Sequence, residues 1–159
     1  SQQTCFDTES CLCKQRPAIL VVDDAIFNIV ALQTILEMTY NLKSDKALNG
    51  QLAIDKIKER ETLRSQEPCT CKQEESNYRL VIMDCNMPVM DGFQSSQAIR
   101  QMVRDQQLRG PRYPSVVALT AYATDTFKDK CLENGMEQVL TKPISSAKLG
   151  QLLKEKGLA

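Results

Sequence analysis

The 159 residues balance 20 Lys and Arg against 20 Asp and Glu, and they contain no His. That length suits one domain with a proper core; zero net charge gives no chain-wide field for nucleic acid or an anionic membrane. The missing imidazole removes Ser-His-Asp hydrolysis, Cys-His proteolysis and every His-ligated metal site. No apolar run approaches the ~20 residues of a membrane span, and residues 1–16 lack the apolar stretch of a signal peptide. The seven cysteines are odd in number, and Cys85 and Cys131 fall in segments that read as core or helix. They argue for a reducing, cytoplasmic setting over a disulfide scaffold, although a parent chain could be membrane-anchored.

From residue 18 the pattern alternates. Residues 18–22 (AILVV) form a short apolar run of the kind buried on both faces of a sheet. Residues 25–39 carry apolar side chains at helical spacing, residues 42–48 are a weak strand, and residues 50–63 are helical again. The polar stretch 65–77 (SQEPCTCKQEESN) holds Cys69 and Cys71. Like residues 1–16, which hold Cys5, Cys11 and Cys13, it supplies little core. Residues 79–83 (RLVIM) are a second buried strand, and residues 92–108 are a helix ended by Gly110-Pro111. A third strand spans 115–119 (SVVAL), followed by a helix over 125–134 with Gly135 closing it. A short strand at 136–140 and a helix at 145–156, capped by Ser145 or Ser146, complete the chain.

This βαβ alternation predicts an α/β fold, a parallel sheet with helices on both faces. In such sheets ligands sit beyond the carboxyl ends of the strands. There the first strand runs into Asp23-Asp24, the next apolar strand into Asp84, the next into Thr120, and the last into Thr141-Lys142-Pro143. One Asp after a strand is commonly only a helix cap. Three carboxylates, a hydroxyl and an ammonium on one edge are hard to assign to capping alone. Crowded carboxylates push one another toward protonation, which a hard cation such as Mg²⁺ relieves. Lys142 and Thr120 could then meet phosphoryl oxygens, and a carboxylate can itself attack phosphorus. Neither GxGxxG nor GxxxxGK[ST] occurs, so nucleotide binding is disfavoured.

The pieces ILVVDD (19–24), VIMDCNMPVMDGF (81–93), ALTAY (118–122) and LTKPIS (140–145) resemble the receiver domains of two-component response regulators. Asn28 and the form of the second piece are most similar to receivers of hybrid histidine kinases. The resemblance implies a flavodoxin-like, doubly wound sheet of order 2-1-3-4-5 with five helices. The receiver domain would span 18–159, with an insertion at 65–77 and a Cys-rich extension at 1–17. It further implies Asp84 as phosphoacceptor, Mg²⁺ held by Asp24, Asp84 and the backbone carbonyl of Asn86, and Asp23 acting largely through water. Lys142 would pair with Asp84, Thr120 would be the switch residue, and Pro143 would follow a cis peptide bond. Two positions depart from the family: Val139 stands where an aromatic residue often reports phosphorylation, and Ala25 stands where Asn often follows the acidic pair.

The expected function is that of a phosphoacceptor, not an enzyme, in a His-to-Asp phosphorelay. The donor would be a histidine kinase domain or a His-containing phosphotransfer protein, because the chain has no His of its own. No nucleic acid or direct membrane contact is expected. The alternatives are a pseudo-receiver used only for interaction and a phosphatase resembling the haloacid-dehalogenase group. The latter requires a second Asp two residues after the nucleophile, where this chain has Asn86. Ile26 and Phe27 are either core or part of a docking patch. Cys85 reads as a small core residue, and residues 56–64 as a solvated helix face. The strand order places both Cys-rich segments at the amino ends of adjacent strands. There Cys11, Cys13, Cys69 and Cys71 could hold Zn²⁺, form disulfides or remain thiols.

Overall fold

The computed structural model describes residues 12–69, 77–87, 90–105, 107–108 and 114–159, and for residues 13 and 14 the backbone alone. Five strands, β1 (Ile19–Val22), β2 (Ser44–Ala47), β3 (Leu80–Asp84), β4 (Ser115–Thr120) and β5 (Gln138–Thr141), form one sheet. The order is β2-β1-β3-β4-β5, and every neighbouring pair is parallel. The crossovers are α2 (Ile26–Tyr40), α3 (Gly50–Gln66), α4 (Gly92–Arg104) and α5 (Asp125–Glu133), and α6 (Ser146–Glu155) follows β5. The five expected helices are all present. A single extra turn, α1 (Leu12–Gln15), precedes β1 where the sequence shows no periodicity.

Two differences from the sequence reading concern lengths. Helix α3 runs on to Gln66, so the polar stretch begins as helix and not as loop. Helix α4 ends at Arg104, four residues short of the expected stop. Caps explain most boundaries: Asn49, Thr124 and Ser145 each accept an N–H of the first turn, and Asp91 with Gln94 makes a reciprocal capping box. Gly135, at φ +88°, follows α5 in the left-handed region that favours glycine.

Alternation along the strands divides the core in two. Leu20, Val22, Val81, Met83, Val116 and Ala118 face α3, α4 and α5. Ile19, Val21, Leu80, Ile82, Val117 and Leu119 face α2 and α6. β1, β3 and β4 are buried along their whole length, as the apolar runs require. Among the described residues no helix is long and apolar enough to cross a membrane.

At the amino ends of the strands lies a network that the sequence reading missed. Arg60, inside the stretch expected to be a solvated face, is buried. Its guanidinium donates to the Pro17 carbonyl at 2.8 Å and the Asp45 carboxylate at 3.1 Å, and it lies 4.1 Å over the Tyr78 ring. The Tyr78 hydroxyl donates to the same Asp45 oxygen at 2.5 Å, and burial pushes its pKa far up. Nearby, Arg16 donates to the Glu67 carbonyl at 2.7 Å. The described ends of both Cys-rich segments therefore meet at this edge, opposite the acidic one. Cys69 is half-buried; Cys5, Cys11, Cys71 and the Cys13 side chain lie outside the described residues, and with them the expected zinc or disulfide cluster.

Arg60→Ala leaves Asp45 without its cation, and the expected loss is about 2–4 kcal/mol of folding stability. Tyr78→Phe should cost about 1.5 kcal/mol. Urea unfolding with unchanged m-values checks both; an Arg60→Ala loss below ~0.5 kcal/mol, the range of ordinary surface changes, would contradict the clamp.

Candidate functional site

The loops after β1, β3, β4 and β5 converge at the carboxyl edge of the sheet. Asp23 and Asp84 are buried there and Asp24 is exposed; the three carboxylates offer oxygens that all lie within 4.8 Å of one another. Lys142 reaches in from the loop after β5, its ammonium 3.0 Å from Asp23 Oδ2 and 3.5 Å from Asp84 Oδ2. The lysine thus bridges both buried carboxylates and sits nearer Asp23, where the sequence reading pairs it with Asp84. Its backbone N–H donates to the Thr120 carbonyl at 2.7 Å, fastening the end of β5 to the end of β4. The Lys142–Pro143 peptide bond is cis, as the resemblance implies.

Backbone geometry fixes each acid. Asp23 Oδ1 accepts the Ala25 N–H at 2.9 Å, a local turn that sets the carboxylate just ahead of α2, whose N-cap residue Ala25 offers no side-chain cap. Asn28 Nδ2 donates to Asp23 Oδ2 at 3.2 Å, a holding role that the sequence reading did not assign. Asp84 Oδ1 accepts the Asn86 N–H at 3.2 Å. Gly92 lets α4 begin against β3: a Cβ there would lie 2.7 Å from the Asp84 carbonyl oxygen. Thr120 is buried, and its hydroxyl accepts the Tyr122 N–H at 3.0 Å and donates to the Tyr122 carbonyl at 3.3 Å.

The charges are unevenly compensated. Burial pushes the Asp84 carboxyl above its ordinary range and the Asp23 charge adds to this. The Asn86 N–H and the Lys142 ammonium pull the other way without cancelling it. Burial also works against the Lys142 ammonium, but the Asp23 hydrogen bond and the two carboxylate charges outweigh it. The lysine therefore holds its proton more tightly than usual. Cys85, next to Asp84, is a core residue as expected: it is buried 3.8 Å from the Met136 sulfur, and desolvation raises its thiol far up. Such a thiol is a poor nucleophile.

The model of the response regulator receiver domain matches residues 19–154. The chain belongs to the response regulator receiver domain family. It is 38% identical over 154 residues to the sensor histidine kinase GacS of Pseudomonas protegens, covering 96% of this chain and 15% of that protein. It is 38% identical over 137 residues to the osmosensing histidine protein kinase SLN1 of Saccharomyces cerevisiae, covering 86% of this chain and 10% of that one. The chain thus spans only about 10–15% of the length of these two relatives. Among solved structures, the receiver domain of the yeast response regulator Ssk1, crystallised with the histidine phosphotransfer protein Ypd1, superposes with a TM-score of 0.70 at 26% identity, covering 87% of each chain. The receiver domain of the Pseudomonas aeruginosa sensor histidine kinase PA1611, with magnesium in its active-site cleft, gives 0.62 at 26% identity, covering 87% of this chain and 96% of that one.

Asp84 binds its proton more tightly in the folded than in the unfolded chain. Its stabilising contribution is full below the unfolded carboxylate pKa of ~3.9 and is lost as pH rises through the raised folded value. Asp84→Asn removes a buried charge, so the variant should melt above wild type at about pH 7, with the gap closing toward about pH 4. Thermal unfolding across that range is the check; a variant less stable than wild type at neutral pH would contradict the assignment of Asp84 as the strained carboxylate.

Proposed function

We propose that this receiver domain takes a phosphoryl group from a phosphohistidine onto Asp84, within a phosphorelay, as part of a hybrid histidine kinase. The observation that carries the reading is the Lys142 ammonium bridging two buried carboxylates, Asp23 and Asp84, beside a third, Asp24. In the transfer, an Asp84 oxygen attacks phosphorus. The P–N bond breaks with its electrons on the imidazole nitrogen, which takes up a proton, and an acyl phosphate forms. Lys142 is placed to move from sharing two carboxylates to meeting the new dianion, and Thr120 carries the one hydroxyl proton at the adjacent strand end.

The donor set fits Mg²⁺: three carboxylates within reach of one another, at an edge with one exposed member, are hard oxygen ligands for a hard cation. Asp24, Asp84 and the Asn86 carbonyl would hold it, with Asp23 acting largely through water. When bound, the ion supplies charge neutralisation at the transferring phosphoryl group. The magnesium in the PA1611 receiver domain supports this. Asn86 bears no titratable proton, which weighs against a phosphatase that needs a general acid there. The receiver unit is taken as residues 18–159, with 1–17 as a linker.

The phosphohistidine comes from outside, since the chain has no His. Both Ile26 and Phe27 prove exposed, 39% and 84%, and Val30 beside them is 51% exposed. This apolar face of α2 adjoins a groove of about 360 Å³ lined by Ala31, Ile35, Leu119, Pro143 and Ile144, which opens beside Lys142. An exposed apolar surface at the rim of a reactive site suits a docking partner, and a His-containing phosphotransfer domain fits it. The complex of the Ssk1 receiver with Ypd1 supports that choice.

Acetyl phosphate with Mg²⁺ should give a single phosphoryl adduct by intact mass, and Asp84→Asn or chelation of the metal should abolish it. No reaction in wild type would leave the interaction-only alternative, and rapid multiple turnover the phosphatase. With a phosphorylated histidine phosphotransfer domain as donor, Phe27→Ala should slow transfer about tenfold, the loss of ~1.4 kcal/mol typical of a buried aromatic anchor. Its rate with acetyl phosphate should be unchanged. Equal slowing with both donors would remove the docking role.

A further inference from the structure

Val139 is β-branched, with few rotamers, and is packed into the α3–α5 face of the sheet beside Ala118. It cannot swing as a lever for a conformational change. The rings that could do so lie elsewhere. Phe93, in the first turn of α4, and Phe127, in the first turn of α5, pack edge-to-face with centroids 5.7 Å apart and planes at 63°. Lys130, one turn further along α5, lies 4.5 Å over the Phe93 ring. Both rings are half-buried against the core cluster that contains Cys85, Ala118 and, at its edge, Val139.

Each ring is tied to a different part of the reactive site. Phe93 follows Gly92, which is packed on the Asp84 peptide and donates its N–H to the Cys85 carbonyl at 3.4 Å. Phe127 donates its N–H to Thr124 Oγ1 at 3.2 Å, and Thr124 ends the four-residue loop that begins after Thr120. That loop is held at its start by the Thr120 hydroxyl, which both accepts from and donates to Tyr122. A hydroxyl has one proton to donate. If Thr120 donates it to a phosphoryl oxygen on Asp84, the bond to the Tyr122 carbonyl is lost and the loop is released from that constraint. By strand alternation the Thr120 side chain leaves the sheet on the same face as Val116 and Ala118, the face that carries both rings.

We propose that the Phe93–Phe127 ring pair, with Lys130 over it, couples phosphorylation of Asp84 to movement of α5 against α4. The inference rests on Asp84 being the phosphoacceptor. The differential interaction that a two-state change requires is the Thr120 proton, bonded to Tyr122 in one state and to the phosphoryl group in the other. The ring pair converts that local exchange into a shift between helices because it is the edge-to-face contact joining the segment after Asp84 to the segment after Thr120. A hydrogen bond from Gln97 Nε2 of α4 to Asn134 Oδ1, at the C-cap of α5, at 2.5 Å lies at the far end of the same interface.

The chain has four phenylalanines, Phe6, Phe27, Phe93 and Phe127, so uniform 4-fluorophenylalanine labelling gives four fluorine signals, assigned by single Phe→Leu replacement. Acetyl phosphate with Mg²⁺ should shift the Phe93 and Phe127 signals in step with the adduct measured by intact mass. Phe127→Leu and, as a milder change, Lys130→Gln should leave adduct formation intact while the phosphorylation-dependent amide shifts of residues 128–134 are lost or reduced. An adduct that leaves both ring signals in place, or amide shifts that persist in both variants, overturns the coupling alone. Absence of any adduct on wild type overturns the phosphoacceptor reading, and this inference with it.

Discussion

Asp23 and Asp84 share one cation. Each is buried at the carboxyl edge of the sheet, and a buried carboxylate without a partner costs several kcal/mol. Lys142 lies within 3.5 Å of both, yet one ammonium cannot fully neutralise two buried acids with a third at their side. The remaining imbalance falls on Asp84, whose proton affinity is raised, while Asp23 has the Ala25 N–H and the Asn28 amide as further donors. Asp84 is therefore a carboxylate that gains from added positive charge, and it is the one proposed above to take the phosphoryl group.

That arrangement depends on elements far apart in the chain arriving in register. The pairing of Val22 with Met83 and of Asp84 with Leu119 sets the ends of β1, β3 and β4 level. The Lys142 N–H to the Thr120 carbonyl does the same for β5. Two apolar layers hold the register, because a one-residue slip would turn Leu20, Met83 and Ala118 to the wrong face. The site is the edge where four such strands stop together.

Most of this was legible in the sequence because the buried strands of a parallel sheet announce themselves as apolar runs and the acids stand directly after them. The runs 18–22, 79–83 and 115–119 became β1, β3 and β4 within a residue or so. What was hidden depends on contacts between distant residues. Arg60 reads as one of many charges on a helix; only the meeting of Pro17, Asp45 and Tyr78 around it makes burial favourable. Whether Ile26 and Phe27 were core or surface could not be decided from spacing, since α2 has apolar residues all round and only packing selects Ile29, Leu32 and Leu36 for the interior. The Phe93–Phe127 contact joins residues 34 apart in number, which no local pattern reveals.

The two ends of the sheet divide stability from reactivity. At the amino edge the Asp45 carboxylate has both a guanidinium and a phenol on one oxygen, and Arg60 also satisfies the Pro17 carbonyl. Polar groups matched in this way rigidify a structure. At the carboxyl edge the acids outnumber the cation, the Thr120 hydroxyl bonds to its own loop at Tyr122, and apolar side chains of α2 stand in solvent. Such a region is less stable than a fully matched one, which is what a site needs if a small change in charge is to alter its preferred arrangement. β1 is only four residues long, so the clamp around Pro17 and the acid at Asp23 are braced by the same short strand. A firm amino edge thus lets the carboxyl edge remain poised without loosening the sheet that aligns it.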